Sequence, residues 1–214
     1  MARRARAAPR IYVLAGVNGA GKSSIGGAML RAAGANYFNP DEAAAALIAA
    51  NRGLDQTKAN AAAWRQGKRL LEKTIHERLD FAFETTLGGS TMTRLLADAA
   101  SQGIEVRIWY VGLASPDEHV ARVAHRVSRG GHDIPETVIR RRWRHSKQNL
   151  IQLLPALTEL RVYDNSVDAD PAAGTNPEPT LVLHLVGRDI VAPSDMSATP
   201  QWAKPIVAAA LKLS

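Results

Sequence analysis

The sequence contains no cysteine, so disulfide bonds are excluded and a metal site would have to use histidine or carboxylate side chains. It contains no long apolar run either, since stretches such as "VRIWYVGLA" are far too short to span a bilayer. No apolar segment of signal-peptide length follows the basic first ten residues. We therefore expect a soluble, cytoplasmic protein with no membrane contact.

The acidic signatures of nucleotide-driven motors and switches are also absent. Motor ATPases normally place an acidic pair at the end of an apolar strand, where it holds Mg²⁺ and activates water. Here the most apolar internal segment runs into Gly112 and Leu113 without an acid, and the segments "FAFE" and "RVYD" end in single acids. The base-reading sequence "NKxD" of GTPases is missing as well. These absences argue against a motor and against a GTPase switch.

Positive charge is concentrated in two stretches of the chain. The formal net charge is +7, of which residues 1–10 carry +4 and residues 122–147 carry +6, so the rest of the chain carries −3. A basic stretch of this kind can bind nucleic acid or close over a polyphosphate, and composition does not decide between the two. The basic tail, residues 1–9, is expected to be disordered.

The length of 214 residues predicts a single domain, 1–214, with its own α/β core. Short segments rich in β-branched and aromatic residues predict strands, and the patterns between them predict helices, which together indicate a mostly parallel sheet. Residues 192–214 are predicted to form a C-terminal extension that ends in a short helix. The predicted strands are "IYVLAG", "ANYFNP", "FAFETTL", "VRIWYVGL", "LRVYDNS" and "TLVLHLV", and the predicted helices are 22–33, 41–51, 57–79, 91–101, 116–129 and 135–160.

The segment "LAGVNGAGKSS" follows the first predicted strand and matches the phosphate-binding pattern G-x-x-x-x-G-K-[ST]. Its glycines allow backbone N–H groups to turn toward a phosphate, and the helix that follows points its positive end at the same group. Lys22 would reach the β- and γ-phosphate oxygens, and the Ser23 hydroxyl would coordinate Mg²⁺. The sequence therefore predicts a site for a nucleoside triphosphate with Mg²⁺. Its predicted residues are Gly16, Asn18, Gly19, Ala20, Gly21, Lys22, Ser23 and Ser24.

A kinase also requires an acidic group near the γ-phosphate to accept the proton of the acceptor hydroxyl. Asp41 in "YFNPDE" follows the second predicted strand, at the edge where ligands collect in open α/β sheets. Asp41 is therefore the candidate catalytic base. The alternative is that Asp41 caps the helix that follows, in which case Asp41→Ala should cost about 1 kcal/mol of stability. The two roles can coexist.

Glu84, Thr85 and Thr86 follow the third predicted strand in the same way. They are candidates to hydrogen-bond the hydroxyl groups of a polar acceptor, because they would lie at the same sheet edge as the phosphate loop. The alternative is that this segment is only a strand exit that turns into the next helix.

Arginines in residues 119–147 predict a lid. Arg122, Arg126 and Arg129 share one helix face, "GGHDIP" interrupts that helix, and more arginines open the next one. Two helices that are joined by a Gly-Gly hinge and lined with cations are typical of a lid that closes over ATP and excludes water. The alternative is a solvated basic face.

Together these segments resemble the zeta-toxin-type P-loop kinases of bacteria. The resemblance covers roughly residues 10 to 190 and implies a nucleotide-kinase-like sheet with ATP in the phosphate loop and Asp41 as catalytic base. It also implies that lid arginines matching Arg126, Arg129 or Arg142 bind the phosphates. In the best-known members the acceptor is UDP-N-acetylglucosamine. The long first helix that contacts the antitoxin of the two-gene toxins has no match here, which leaves an antitoxin partner open. The matching segments are "LAGVNGAGKSS", "FNPDE", "FAFETTL", "VRIWYVGL", "RVSRGGHDIPETVIRRRWRHSKQNL" and "VYDNS".

We therefore expect an α/β P-loop kinase that transfers the γ-phosphoryl group of ATP to a hydroxyl of a small polar molecule, such as a UDP-amino sugar. One alternative is a P-loop ATPase, which the missing acidic pair disfavours. Another is a nucleotide-regulated protein that binds nucleic acid through residues 122–147, although Trp143 is the only aromatic residue among these arginines. The candidate catalytic residues are Lys22, Asp41, Arg126, Arg129 and Arg142.

Overall fold

The computed structural model describes residues 8–22, 37–166 and 178–213. None of the helices in these ranges has the length and apolar character that crossing a membrane requires. The strands are β1 (Arg10–Ala15), β2 (Tyr37–Phe38), β3 (Phe81–Thr85), β4 (Glu105–Gly112), β5 (Glu159–Asp164), β6 (Thr180–Val186) and β7 (Asp189–Ala192). The helices are α1 (Pro40–Ala50), α2 (Gln56–Glu77), α3 (Ser90–Ser101), α4 (Pro116–Ser128), α5 (Glu136–Leu153) and α6 (Lys204–Ala210).

The strands form one sheet in the order β2-β3-β1-β4-β5-β6-β7. Strands β1 to β5 pair in parallel, and β6 and β7 extend the sheet with antiparallel pairing. Strand β1 lies between β3 and β4, so the loops after β1, β3 and β4 meet at the carboxyl edge of the sheet. The predicted α/β class with a mostly parallel sheet is confirmed.

The main core packs alternate residues of the strands against helices. Ile11 and Val13 of β1 lie in the same cluster as Phe81 and Phe83 of β3, as the two-residue period of a strand requires. Helices α2, α3, α5 and α6 contribute buried apolar side chains to this cluster. The sheet is therefore held from this side by four helices, and its carboxyl edge is left for the site.

One predicted helix boundary is wrong, one strand was not predicted, and part of the chain is not described. The helix predicted over 135–160 ends at Leu153, because Pro155 lies in a short 3₁₀ turn and cannot continue an α-helix. Strand β7 was missed, since it is short and forms the edge of the sheet. The predicted helix 22–33 and the tail 1–9 lie almost entirely outside the described residues.

The C-terminal segment, predicted as an extension, contributes to the main core. Trp202 and Ile206 are buried in it. The Trp202 ring covers Gly112, where a Cβ would come within 2.3 Å of the ring. Trp202 Nε1 also donates a hydrogen bond to Asp164 Oδ1 at 3.2 Å. The segment therefore supports the carboxyl ends of β4 and β5, next to the phosphate loop.

Candidate active site

The phosphate loop runs from Gly16 to Lys22, directly after β1. Gly19 and Gly21 have φ angles of +82° and +84°, a region that glycine enters without strain. A Cβ at Gly21 would also lie 2.4 Å from the side-chain nitrogen of Asn165, so the loop requires glycine there for space as well. The predicted phosphate and metal ligands Ser23 and Ser24 lie outside the described residues.

Three side chains from other elements hold the phosphate loop in place. His119 of α4 is buried, and its Nδ1 donates to the Asn18 carbonyl oxygen at 2.8 Å. Asn165, after β5, donates from Nδ2 to the Ala20 carbonyl oxygen at 2.9 Å. Arg142 of α5 donates from Nη1 to Asn18 Oδ1 at 2.7 Å. The loop conformation is therefore fixed by α4, α5 and the segment that follows β5.

The buried position of His119 makes the stability of the fold depend on pH. Burial lowers the pKa of His119 to about 4, against the opposing effect of its bond to Asn18, and the nearby cations Lys22, Arg122 and Lys147 lower it further. The unfolded chain takes up this proton near pH 6.5, whereas the folded chain takes it up only near pH 4. The stability contributed by neutral His119 is therefore complete above pH 6.5 and is lost as the pH falls toward 4.

When the pH falls from 7 to 5, we expect the titration of His119 to reduce the free energy of unfolding by roughly 2 kcal/mol. His119→Gln keeps a donor for the loop but cannot titrate, so its stability should fall less over this range. Urea unfolding of both proteins at pH 7, 6 and 5 measures the difference. Equal pH slopes for the two proteins would show that His119 does not bury a neutral imidazole.

Charges of both signs converge on Lys22. Its ammonium group is partly buried, and Nζ lies 3.5 Å from the Val17 carbonyl oxygen. Burial lowers the pKa of Lys22, which Glu84 and Asp41 oppose. Two cations, Arg142 and Arg126, act in the same direction as burial. An anion bound here would meet several cations at once, which suits a polyphosphate.

A cavity of about 700 Å³ adjoins Lys22. Its walls come from the phosphate loop, the start of α1, one face of α2, the loop after β3, and the segment that leads into α5. This volume is typical of sites for small molecules. The predicted site residues that line it are Asn18, Lys22, Asp41, Glu84, Thr85, Thr86 and Arg142.

Asp41 lies in the first turn of α1, and its side chain is 53% exposed. Its Oδ2 atom lies 3.9 Å from Arg126 Nη1. The interpretation of Asp41 as the helix cap is wrong, because Asn39 Oδ1 accepts the backbone N–H groups of Asp41 and Glu42 at 2.9 and 3.3 Å. Asparagine followed by Pro40 at the first helical position is a favoured start of a helix. The Asp41 carboxylate is thereby left available to the cavity.

Glu84 is buried at the end of β3 and is held from two sides. Its Oε1 accepts hydrogen bonds from the Tyr37 hydroxyl and from Asn39 Nδ2, the latter at 3.4 Å. Asn39 therefore connects the first turn of α1 to the carboxylate of Glu84. The result is two carboxylates on one cavity, Asp41 half exposed and Glu84 fixed by its neighbours.

Thr85 and Thr86 have a local structural role beside their place on the cavity. Their hydroxyl oxygens accept the N–H groups of Leu87 and Gly88 at 3.1 and 3.3 Å. Both the acceptor-binding and the strand-exit interpretations are thus compatible with their position, because a hydroxyl that accepts one bond can still donate another.

The arginines of the predicted lid, residues 119–147, differ in what they contact. Arg126 donates from Nη2 to the His132 carbonyl oxygen at 3.1 Å and lies near Asp41, and Arg142 lines the cavity. Arg129 is exposed at the end of α4 and does not line the cavity. Two further arginines bond within the protein, namely Arg122 to the Asn165 carbonyl oxygen at 2.8 Å and Arg140 to Glu136 at 2.6 Å.

Sequence reasoning missed the residues that position the site. The signal for Asn39 was present, since asparagine before "PDE" is a helix-cap pattern. His119 and Asn165 gave no local signal, because their bonds to the phosphate loop join residues 101 and 145 positions apart.

Three features define a protein of the P-loop kinase class: the mostly parallel sheet with its central β1, the glycine loop that ends in Lys22, and the carboxylates on an adjoining cavity. The chain belongs to the zeta toxin family, whose family model matches residues 2–169. The resemblance predicted from the sequence is therefore confirmed.

Known proteins and solved structures are similar to this chain. An uncharacterized protein from Haemophilus influenzae is 28% identical over 133 residues, which cover 60% of this chain and 88% of that protein. Crystal structures of the AvrRxo1-ORF1:AvrRxo1-ORF2 complex with sulphate ions and with ATP match with TM-scores of 0.67 and 0.66, both at 15% identity. The two matches cover 90% and 94% of this chain. This chain spans 64% and 63% of the matched chains, which is less than two thirds of their length.

A structure from the PezAT chromosomal toxin–antitoxin system of Streptococcus pneumoniae matches as well. Its TM-score is 0.57 at 15% identity, and the match covers 82% of this chain and 76% of that chain. At this level of identity the structures show a shared fold, and the roles of individual residues rest on the geometry of this chain.

Proposed function

We propose that this chain transfers the γ-phosphoryl group of ATP to a hydroxyl group of a small polar molecule. The observation that supports this most directly is the cavity, which is lined both by Lys22 of the phosphate loop and by the carboxylate of Asp41. A donor phosphate on the loop and an acceptor in the cavity would then lie next to each other. Holding two reactants in this way is the main contribution of a kinase to the reaction.

The proposed roles follow from the contacts. The backbone of the phosphate loop and Lys22 hold the β- and γ-phosphates. Arg142 and Arg126 neutralise charge on the transferred group, and both lie close enough to Lys22 to lower its pKa. Asp41 accepts the proton of the attacking hydroxyl, since its carboxylate is exposed to the cavity and is not used as a cap.

Mg²⁺ fits the groups present at this site. The carboxylates of Asp41 and Glu84 line the cavity beside Lys22, and carboxylate oxygen is a ligand that Mg²⁺ prefers. We propose that the Ser23 hydroxyl coordinates the ion, while Asp41 remains available to accept the proton. When bound with ATP, the ion supplies positive charge that neutralises the phosphate oxygens.

For the acceptor we propose a UDP-amino sugar such as UDP-N-acetylglucosamine, used in the cytoplasm. The support is family membership together with a cavity of about 700 Å³, within the range of small-molecule sites. Glu84, Thr85 and Thr86 would hydrogen-bond the acceptor's hydroxyl groups. We assign no antitoxin contact to any residue of this chain, although the PezAT relative belongs to a toxin–antitoxin system.

Nucleic-acid binding by residues 122–147 is less well supported. Arg122, Arg126 and Arg140 each bond to a group within the protein, which leaves Arg129, Arg141 and Arg144 as the exposed arginines of this stretch for a nucleic acid to contact.

Incubation with Mg²⁺-ATP and a bacterial metabolite extract tests the proposal. Mass spectrometry should find one class of metabolite that becomes heavier by one phosphate, and the purified metabolite should then stimulate ATP turnover. The nucleic-acid alternative instead predicts that turnover rises with DNA or RNA. ATP turnover that no metabolite raises would contradict the kinase function and favour a simple ATPase.

The segment between α4 and α5 offers a test of the proposed lid, residues 119–147. Arg129 is exposed next to Gly130, which has a φ angle of +89°. Trypsin should cut the Arg129–Gly130 bond in the free protein and cut it less when a non-hydrolysable ATP analogue with Mg²⁺ closes the lid. The Arg52–Gly53 bond, in an exposed turn, is the matched control and should be cut equally in both cases. If nucleotide changed the cutting of neither bond, residues 119–147 would be a static basic face and not a lid.

A further inference from the structure

Arg142 has two acceptors within its reach and bonds to the neutral one. It lines the cavity, and its Nη1 atom donates to Asn18 Oδ1 at 2.7 Å. Burial lowers the pKa of Arg142, and the nearby carboxylate of Asp41 opposes this effect. The charge of Asp41 therefore acts on the guanidinium group, yet within the described residues no ion pair joins the two side chains.

The bond to Asn18 suits a cation that is to meet a phosphate. An amide oxygen is neutral, so it fixes the direction of the guanidinium group without cancelling its charge. A carboxylate would hold the same group more strongly and would also neutralise it. Asn18 is itself fixed, because it is buried and its carbonyl oxygen accepts the bond from His119 at 2.8 Å. Arg142 is thus directed by a rigid, neutral group of the phosphate loop.

The loop after β3 confines the stem of Arg142. A Cβ atom at Gly88 would lie 2.7 Å from Arg142 Cγ and 3.3 Å from Arg142 Cβ. Carbon atoms prefer separations of about 3.5 to 4.0 Å, so a methyl group at Gly88 would displace the arginine stem by roughly 1 Å. Gly88 does not have a positive φ angle, so its backbone conformation does not require glycine. What requires glycine at this position is the space that Arg142 occupies.

We propose that Asn18 and Gly88 are positioning residues that act through Arg142. Asn18 directs the guanidinium group toward the transferred phosphoryl group and away from Asp41, and Gly88 leaves room for the arginine stem. Arg142 then keeps its full charge for the phosphoryl group, and Asp41 is not neutralised by it. This inference rests on the proposed function, since it identifies the residues that place one of its cations.

Nucleotide affinity tests this without an acceptor. Each protein is titrated calorimetrically, in the presence of Mg²⁺, with ADP and with the non-hydrolysable ATP analogue adenylyl imidodiphosphate. The ratio of the two affinities measures how strongly the γ-phosphate is held, and the wild type should prefer the analogue. Arg142→Ala should lower this ratio roughly tenfold or more, as the loss of a hydrogen bond to a charged group does. Gly88→Ala and Asn18→Ala should each lower it roughly 3- to 10-fold, because they leave the arginine present but misplaced.

Double variants show whether these effects pass through Arg142. Because Arg142→Ala removes Cγ, the methyl group of Gly88→Ala no longer meets that atom. In the Arg142→Ala protein, Gly88→Ala and Asn18→Ala should therefore lower the ratio no further. A further loss would mean that Asn18 acts on the shape of the phosphate loop, or that Gly88→Ala acts on Thr86, whose Oγ1 would lie 3.2 Å from the new methyl group.

Gly53→Ala is the matched control. Gly53 lies in the exposed turn between α1 and α2, where no described atom lies within 4 Å of an added Cβ. This variant should leave both affinities unchanged. With an acceptor from the metabolite screen, Gly88→Ala should lower phosphoryl transfer roughly 10- to 100-fold, the cost of a displacement of about 1 Å. Its melting temperature should stay close to that of the wild type, because the flexible arginine side chain can move aside.

The outcomes distinguish this inference from the proposed function. An unchanged affinity ratio in Gly88→Ala or in Asn18→Ala, a further loss in the Arg142→Ala protein, or a wild type that binds the analogue no better than ADP would overturn the inference. A kinase that neutralises the transferred group with other cations would in those cases still stand. If the ratio falls as expected and only through Arg142, while no acceptor is phosphorylated, the inference holds and the kinase function alone fails.

Discussion

Lys22→Ala should abolish phosphoryl transfer. Lys22 is the cation of the phosphate loop that lines the cavity, and the charges of Asp41, Glu84 and Arg142 act on its ammonium group. Its loss removes a preorganised cation from the β- and γ-phosphates, which should lower the rate by a factor on the order of 10³ or more. The measurement is acceptor phosphorylation under saturating Mg²⁺-ATP, with ATP affinity determined separately by calorimetry.

The same substitution should leave the protein folded. The ammonium group of Lys22 is partly buried and is repelled by Arg142 and Arg126. Its removal therefore relieves the cost of desolvation and of this repulsion, while it also loses contacts. The melting temperature of Lys22→Ala should therefore stay close to that of the wild type. Lys68→Ala, a partly exposed lysine that pairs with Glu72 and does not line the cavity, serves as the control and should keep full activity. Full transfer by Lys22→Ala would remove the phosphate loop from the reaction.

Asp41→Asn should lower phosphoryl transfer by a factor on the order of 10² to 10⁴, the usual contribution of a positioned general base. Asparagine has the same size and can still hydrogen-bond the acceptor, but it cannot take the proton. Because the phosphate loop is untouched, binding of ATP should persist. Transfer at a rate close to that of the wild type would exclude Asp41 as the base, and Glu84 would be the next residue to substitute.

Stability measurements on the same variants separate catalysis from folding. Since Asn39 supplies the cap of α1, Asp41→Ala should cost only a few tenths of a kcal/mol, from the favourable position of an acid in the first turn. Asn39→Ala, in contrast, should cost about 1 kcal/mol. If Asp41 were the cap, Asp41→Ala would instead cost more stability than Asn39→Ala. Urea unfolding of the three proteins decides between the two.

The parts of the fold that follow from short-range patterns were predictable. The strand "TLVLHLV" matches β6, Thr180–Val186, because alternation and β-branched residues are properties of the segment itself. The phosphate loop was likewise visible, since its function depends on consecutive residues. The length of α5 was overestimated because the apolar pattern continues through Leu154 and Leu157, past the proline that ends the helix.

The arrangement of the arginines in residues 119–147 could not be derived in the same way. Helical spacing places Arg122, Arg126 and Arg129 near one face, but the helix ends at Ser128, so Arg129 lies just beyond its last turn. Arg126 reaches Asp41, while Arg129 is exposed at the helix end. Which arginine meets the site depends on how α4 packs on the phosphate loop through His119, and no local pattern encodes that contact.

The hydrogen bonds from His119 and Asn165 to the phosphate loop also determine when ATP binding becomes possible during synthesis. Strand β1 is translated early, but its neighbours β3 and β4 follow later in the chain, and the bonds from His119 and Asn165 reach back across 101 and 145 residues. Long-range contacts of this kind form slowly and only when both partners are present. A nascent chain whose residue 165 has not yet left the ribosome therefore carries the complete glycine motif without the bond from Asn165, so the phosphate loop can reach its final conformation only late in synthesis.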